Sequence, residues 1–307
     1  MNTIRTKLML TLAAITVVAS GLSAWLAYSI SRSALEQQSF DKLVAVRELK
    51  SDQVEDFFQG IRHQLVALSE NRMVIEAMAS LSESFKAEKP KTSQGDSSTL
   101  RNFYAQKFLV RAQAAKAPIG NITDIWPDDP LSLRMQSRYI SENPFEVGNK
   151  HLLDQSSSGS TYDNEHAVYH PILRDFAKRF GFYDIFLIDA STGYIVYSVE
   201  KEIDFATSLL DGPYRGSNLA EVFRLTRAAN NANYSRLVDF QAYLPSYGAS
   251  ASFLASPIFS QDKAIGVLVF QVPVERLDKI MTSNRSWSGV GLGETGETYI
   301  VGNDYYL

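Results

Sequence analysis

The 307-residue chain contains no cysteine, which excludes disulfides, thiolate metal centres and a cysteine nucleophile without fixing its compartment. It also lacks a basic excess. Its 30 Lys and Arg against 34 Asp and Glu give a formal net charge of -4, so charge supplies no nucleic-acid footprint, and no nucleic-acid partner is expected. Neither a G-x-S-x-G elbow nor H-E-x-x-H occurs, which leaves a secreted hydrolase without sequence support. One further absence is local: from Leu8 to Ser31, 24 residues pass without a charge. As a helix this run is long enough to cross a bilayer core of about 30 Å.

Arg5 and Lys7 precede that run, and Trp25 and Tyr28 lie near its far end. The positive-inside bias then predicts residues 1–7 in the cytoplasm, a transmembrane helix over 8–31 and everything after Arg32 outside. The rival reading is a cleaved signal peptide, since "SGLSA" offers small residues, but the apolar region of such a peptide runs only about 7–15 residues. Beyond the membrane, Leu35, Leu43, Val46, Leu49, Phe57, Ile61, Leu65 and Leu68 recur mostly at three- and four-residue steps. That spacing predicts a long amphipathic helix over 32–85, whose apolar stripe is expected to pair with a second copy. The Pro, Gly, Ser and Lys content of Lys86 to Thr99 marks a loop.

A second helical region is predicted over Leu100 to Ala115, and another begins at "WPDDP", with Asp129 as N-cap and Pro130 in the first helical position. His166 and His170, four apart, can share a helical face. Two such histidines can ligate zinc, but no third ligand is evident by spacing, so a structural, hydrogen-bonded pair is the alternative and no metal or cofactor is expected. Gly291, Gly293 and Gly296 spell G-x-G-x-x-G. The run after them, Glu297 to Val301, reads as a strand rather than the helix a nucleotide fingerprint needs, so a glycine-rich hinge entering a sheet is the simpler reading.

After Gly181 the pattern becomes sheet-like. "YDIFLID" and "YIVYSV" form one predicted hairpin, and "SFLASPIF" and "AIGVLVFQV" another. Between them Asn218 is the expected N-cap of a helix with Glu221 at N3, and "SRLVDFQAY" is the fifth strand. Five antiparallel strands with segregated helices predict an α+β fold of PAS-like layout. Alternation along Leu237 to Tyr243 places Asp239, Gln241 and Tyr243 opposite Val238 and Phe240. That polar, aromatic face suits a small ligand, or is an ordinary solvated face. Lys201, Asp204, Thr207 and Tyr214 lie on the turn-rich segment after the second strand.

The long runs "FGFYDIFLIDASTGYIVYSVEKEIDFATSLLDGPY" and "DFQAYLPSYGASASFLASPIFSQDKAIGVLVFQVPVERLDKIM", with "VEDFFQGIRHQLVALSENRMVIEAM" upstream and "WSGVGLGETGETYIVGNDYYL" downstream, resemble the periplasmic double-Cache sensor region of bacterial chemoreceptors and of some receptor-type cyclases and histidine kinases. The resemblance covers about Lys42 to Leu307. It implies a membrane-distal PAS-like sensor module over 86–285 and, over 286–307, the start of a membrane-proximal module opened by the glycine-rich segment. It also implies a small extracellular ligand, a homodimer, an inner-membrane anchor and no catalysis in this stretch, with a HAMP linker and an output domain expected further on. It brings Tyr197 alongside Lys201, Asp204, Tyr214, Asp239 and Tyr243 as the candidate ligand-binding residues. The carboxylates favour a cationic or donor-rich ligand end; Lys201 meets an anionic end or pairs with Asp204. The arginine-tryptophan-tyrosine signature of amino-acid-sensing relatives is not recognisable, so no amino-acid ligand is carried over.

Overall fold

The computed structural model describes residues 3–88, 98–290, 292–293 and 296–301. Residues 89–97 of the expected loop, Gly291 of the glycine motif and residues 302–307 of the expected second module lie outside the described residues. By their contacts the described residues form two units, one holding the chain up to Asp56 with the stretch from Leu277 onward, the other Phe57–Arg276.

Most of the helix α1 (Ile4–Ser69) belongs to the first unit, and its apolar N-terminal part is long enough to cross a membrane. Leu8, Val17 and Trp25 are exposed, and so are Leu35, Phe40 and Leu43 further along. Lys50 is buried because its ammonium donates to the Ile280 carbonyl and to Ser283 Oγ (2.6 Å). The expected strand at Glu297 to Val301 is not formed; these residues carry no ladder pairing among the described residues. A β-branched, aromatic run becomes a strand only when a neighbour accepts its hydrogen bonds.

In the second unit the helix predicted to run unbroken to residue 85 is interrupted. α1 stops at Ser69, and Asn71, extended at φ -69° and ψ 131°, caps α2 (Arg72–Ala87) by accepting from Met73 N at 2.9 Å. Asparagine competes with the helix for its own backbone, so it caps better than it continues. α3 (Ser98–Phe103) and α4 (Leu109–Ala114) are joined by a π-turn over Tyr104–Phe108. α5 (Pro130–Gln136) starts as the sequence predicts, with Asp129 accepting from Ser132 N at 2.8 Å and Pro130 in its first turn. α6 (Thr161–Phe180) has a reciprocal capping box between Ser160 and Asp163 and ends on Gly181 at φ 73°, where a left-handed residue is needed.

The sheet consists of β1 (Asp184–Asp189), β2 (Ile195–Ser198), β3 (Arg236–Tyr243), β4 (Ala249–Ser260) and β5 (Lys263–Val272), all antiparallel in the order β2-β1-β5-β4-β3. The two predicted hairpins are β1–β2 and β4–β5, and their outer strands flank a central β1–β5 pair. The fold is therefore α+β with the PAS-like order. All six residues of β1 are buried, with α2 and α6 packed against the strand. Ile185, Leu187, Gly266, Leu268 and Phe270 face α2 and α6: Phe270 packs on Phe182 at 4.2 Å, and a Cβ at Gly266 would lie 2.3 Å from Met78 Sδ. The opposite face carries Phe186, Phe253 and Gln271. α7 (Asn218–Arg227) packs against β3, β4 and β5. Its cap is Ser217, which accepts from Ala220 N, rather than the expected Asn218. Asn218 is buried instead and donates to the Ala251 carbonyl at 2.7 Å.

Candidate ligand site

The segment 199–209 leaves the edge strand β2 and, unlike most loops, runs through the interior: Val199, Lys201, Ile203, Asp204, Phe205 and Leu209 are all buried. Its backbone polar groups need partners there. Asp184 Oδ1 accepts from Val199 N at 2.7 Å and holds the beginning. Gln136 donates to the carbonyls of Ile203 (2.7 Å) and Phe205 (2.8 Å), and Ser132 to that of Ala206 (2.6 Å). Tyr104 fixes the amide of Gln136 by donating to its Oε1 at 2.7 Å. Two residues of this loop, Lys201 (φ 55°) and Ala206 (φ 65°), adopt the left-handed conformation that costs a non-glycine residue of order 1–3 kcal/mol.

The strain at Lys201 turns a lysine side chain inward, to 1% exposure. Its ammonium donates to the Ser198 carbonyl and lies 4.5 Å from the centre of the Tyr197 ring, 5.2 Å from Phe205 and 5.8 Å from Tyr139. A cage of aromatic faces returns about 2 kcal/mol per good contact when desolvated. Desolvating an ammonium costs several kcal/mol, and burial accordingly lowers the Lys201 pKa to about 7. On the same side, His170 Nε2 donates to the His151 carbonyl (2.7 Å), so its Nδ1 accepts from Tyr197 Oη (2.8 Å). His166 stacks on His170 at 4.4 Å and donates from Nδ1 to the Asp154 carbonyl, leaving a buried Nε2 without a hydrogen-bond partner among the described residues. Burial, then the Lys201 charge, keeps both rings neutral, His170 at a pKa of about 2. The histidine pair is thus hydrogen-bonded structure, and no group of three metal-binding side chains occurs among the described residues.

The six sequence-selected residues do not form one constellation. Tyr197, paired across from Leu187, points to the α6 face, whereas Tyr243 stacks on Phe253 at 4.9 Å on the opposite face. There Tyr243 Oη donates to Asp204 Oδ2 at 2.5 Å, and Asp204 Oδ1 is buried without a partner among the described residues. Burial raises the Asp204 pKa to about 6. Glu202, also raised by burial and by Asp204, accepts from Tyr183 and Ser246 hydroxyls at 2.8 Å each. Tyr214 is buried next to this group, its hydroxyl unpartnered among the described residues. Lys201 makes no ion pair with Asp204.

Asp239 lies elsewhere. A bulge between Val238 and Gln241 breaks the alternation expected over β3, so Asp239, Gln241 and Ala242 are exposed while Val238 and Tyr243 are buried. The extra residue of a bulge flips the faces beyond it. Sequence reasoning missed Tyr139, Phe205, Gln136 and Lys150, whose spacing carries no signal because α5 and the turns after it meet the loop only in three dimensions. Lys150 is buried too, donating to the Ile140 carbonyl at 2.5 Å beside the Phe103 ring (4.9 Å), with its pKa lowered by burial to about 8.

No family model and no curated protein matches the chain. Among solved structures, the sensor domain of the histidine kinase DctB from V. cholerae aligns with a TM-score of 0.29 and 14% identity, over 60% of this chain and 56% of that domain. The chain therefore spans a little over half the length of that structure, and a likeness of this size assigns no function.

Proposed function

We propose that this chain is the ligand-sensing region of a membrane-anchored receptor, its PAS-like module outside the cytoplasm and its output domain beyond the present sequence. The observation that carries the reading is the interior loop 199–209, which keeps Lys201, Glu202 and Asp204 in an expensive environment on a strained backbone. A purely structural loop is more stable with apolar residues at such positions, and perturbed ionisable groups beside a pocket are the mark of a binding site. The uncharged run in α1 supports the anchor, and exposed Leu35, Phe40 and Leu43 support pairing of that helix with a second copy. A chemoreceptor is the output favoured by the sequence resemblance; a cyclase or histidine kinase input is the second reading, decided by the domain downstream. In any of these, ligand binding acts only through its differential affinity for two receptor states.

The test is a thermal-shift screen of the full chain in lipid nanodiscs against organic acids, amines, amino acids and sugars. A ligand at about a hundred times its Kd adds about 2.7 kcal/mol, expected as a saturable shift of several degrees. A screen without any saturable shift overturns the sensing reading.

A further inference from the structure

The three rings around the Lys201 ammonium, Tyr197 at 4.5 Å, Phe205 at 5.2 Å and Tyr139 at 5.8 Å, make a cage of the kind that receives a free ammonium ligand. Here the chain's own lysine fills it. An ammonium has three donors, yet among the described residues the only acceptor for this one is the Ser198 carbonyl. Beside the same rings stands an acceptor with nothing to accept. His166 is fully buried, its ring 4.8 Å from that of Tyr139 and 5.7 Å from that of Tyr197. Its Nδ1 donates to the Asp154 carbonyl, so Nε2 is a bare lone pair, without a partner among the described residues. Burial first, and then the Lys201 charge nearby, keeps the ring neutral and Nε2 ready to accept. Lys201, tethered to a backbone at φ 55°, does not donate to it. A buried acceptor left empty costs stability, which calls for a reason to keep it.

We propose that this cage is the binding site for the ammonium group of a small primary amine, and that Lys201 is a tethered plug which the amine displaces. The inference rests on the sensing reading and names its ligand class. In the exchange one ammonium enters the cage as another leaves for water, so the desolvation of the two cancels. What remains favours the ligand. A free primary ammonium carries donors enough for the Ser198 carbonyl and for His166 Nε2, and its entry lets Lys201 leave the left-handed conformation. Glu200, Lys201, Glu202 and Ile203 border a void of about 40 Å³, which gives this part of the loop room to shift. The amine binds the open loop and not the plugged one, and that difference in affinity is what moves the population between them.

The experiment uses the full chain in nanodiscs with ethylammonium, tetramethylammonium and acetate as probes, read by melting temperature and by calorimetric Kd. Ethylammonium is expected to raise the melting temperature saturably, and tetramethylammonium, which has no donor for His166, to do so far less. Lys201→Gly removes the plug and suits the left-handed φ, so the open fraction grows and the apparent affinity for ethylammonium is expected to rise by roughly tenfold or more. Phe205→Leu takes one face from the cage and is expected to weaken the amine several-fold. Should Lys201→Gly not fold, the parent and Phe205→Leu decide. Equal affinity in the parent and a folded Lys201→Gly overturns the proposal, as does unchanged affinity in Phe205→Leu. Binding confined to Lys201→Gly also overturns it, because the plug is then never displaced. A saturable shift from acetate alone sinks the amine and leaves the sensing reading standing; a screen in which nothing binds removes both.

Discussion

Replacing Asp204 with Asn isolates one buried charge. Unfolded, the carboxyl loses its proton near the ordinary 3.8; folded, burial holds the proton to about 6, with the Tyr243 hydroxyl as its partner. Between these values the folded state binds more protons than the unfolded one, so the Asp204 contribution to stability is intact below pH 4 and is lost as pH rises through 6. The difference, at about 1.36 kcal/mol per unit, amounts to roughly 3 kcal/mol. The Asp204→Asn amide keeps an acceptor for Tyr243 but exchanges a charged hydrogen bond for a neutral one, a loss of about 1 kcal/mol. The expected result is a variant about 2 kcal/mol more stable than the parent at pH 8 and level with it or slightly weaker at pH 4. Relief of Glu202, whose pKa Asp204 helps to raise, acts in the same direction. Urea unfolding of the detergent-solubilised chain at intervals from pH 4 to 8 reads the difference between the two proteins, with groups remote from Asp204 cancelling and the relief of Glu202 adding in the same direction. Parallel stability curves, or a variant weaker at pH 8, refute a desolvated, strained carboxylate.

Gly266→Ala places a Cβ 2.3 Å from Met78 Sδ and 2.6 Å from its Cγ, both buried, and is expected to cost about 1–3 kcal/mol in a denaturation curve; Met78→Ala in the same chain should recover part of that loss, and no recovery places the strain elsewhere. Asp163 accepts from Tyr139 Oη (2.7 Å), Ser156 Oγ (2.8 Å) and Ser160 N (3.0 Å). Burial opposes these bonds, yet they prevail and hold its pKa below the ordinary value, so its contribution is present at neutral pH and fades as pH falls through that lowered value. Asp163→Ala should therefore destabilise by about 2–3 kcal/mol at pH 7 and by less near pH 3, and an equal loss at both values counts against the ionised carboxylate. Because the chain has no cysteine of its own, single cysteines introduced from residue 35 to 49 report helix pairing cleanly. Crosslinking in membranes should peak with helical periodicity near Leu35 and Leu43, and a flat profile rejects the dimer contact.

Features that depend on neighbours along the chain are legible in the sequence alone. The uncharged run that begins at Leu8, the Asp129–Pro130 helix start, both hairpins and the five-strand α+β fold derive from period, turn chemistry and length, and each appears where expected. The interruption at Asn71 and the cap at Ser217 differ from expectation, because a capping residue is chosen by the local φ and ψ that packing imposes. The site is legible only in part. Tyr197, Lys201, Asp204, Tyr214 and Tyr243 are all buried in the same unit, yet a period-two pattern cannot foresee the bulge that sends Asp239 to the surface, nor that Tyr197 and Tyr243 occupy opposite faces. Lys150, Gln136 and Tyr139 reach the loop through contacts distant in sequence, as in the 67-residue separation of Gln136 from the Ile203 carbonyl. Local sequence sets which segments are helix and strand through short-range backbone preferences, whereas the aromatic cage around the buried Lys201 ammonium is decided by the tertiary packing that brings Tyr139, Tyr197 and Phe205 to it.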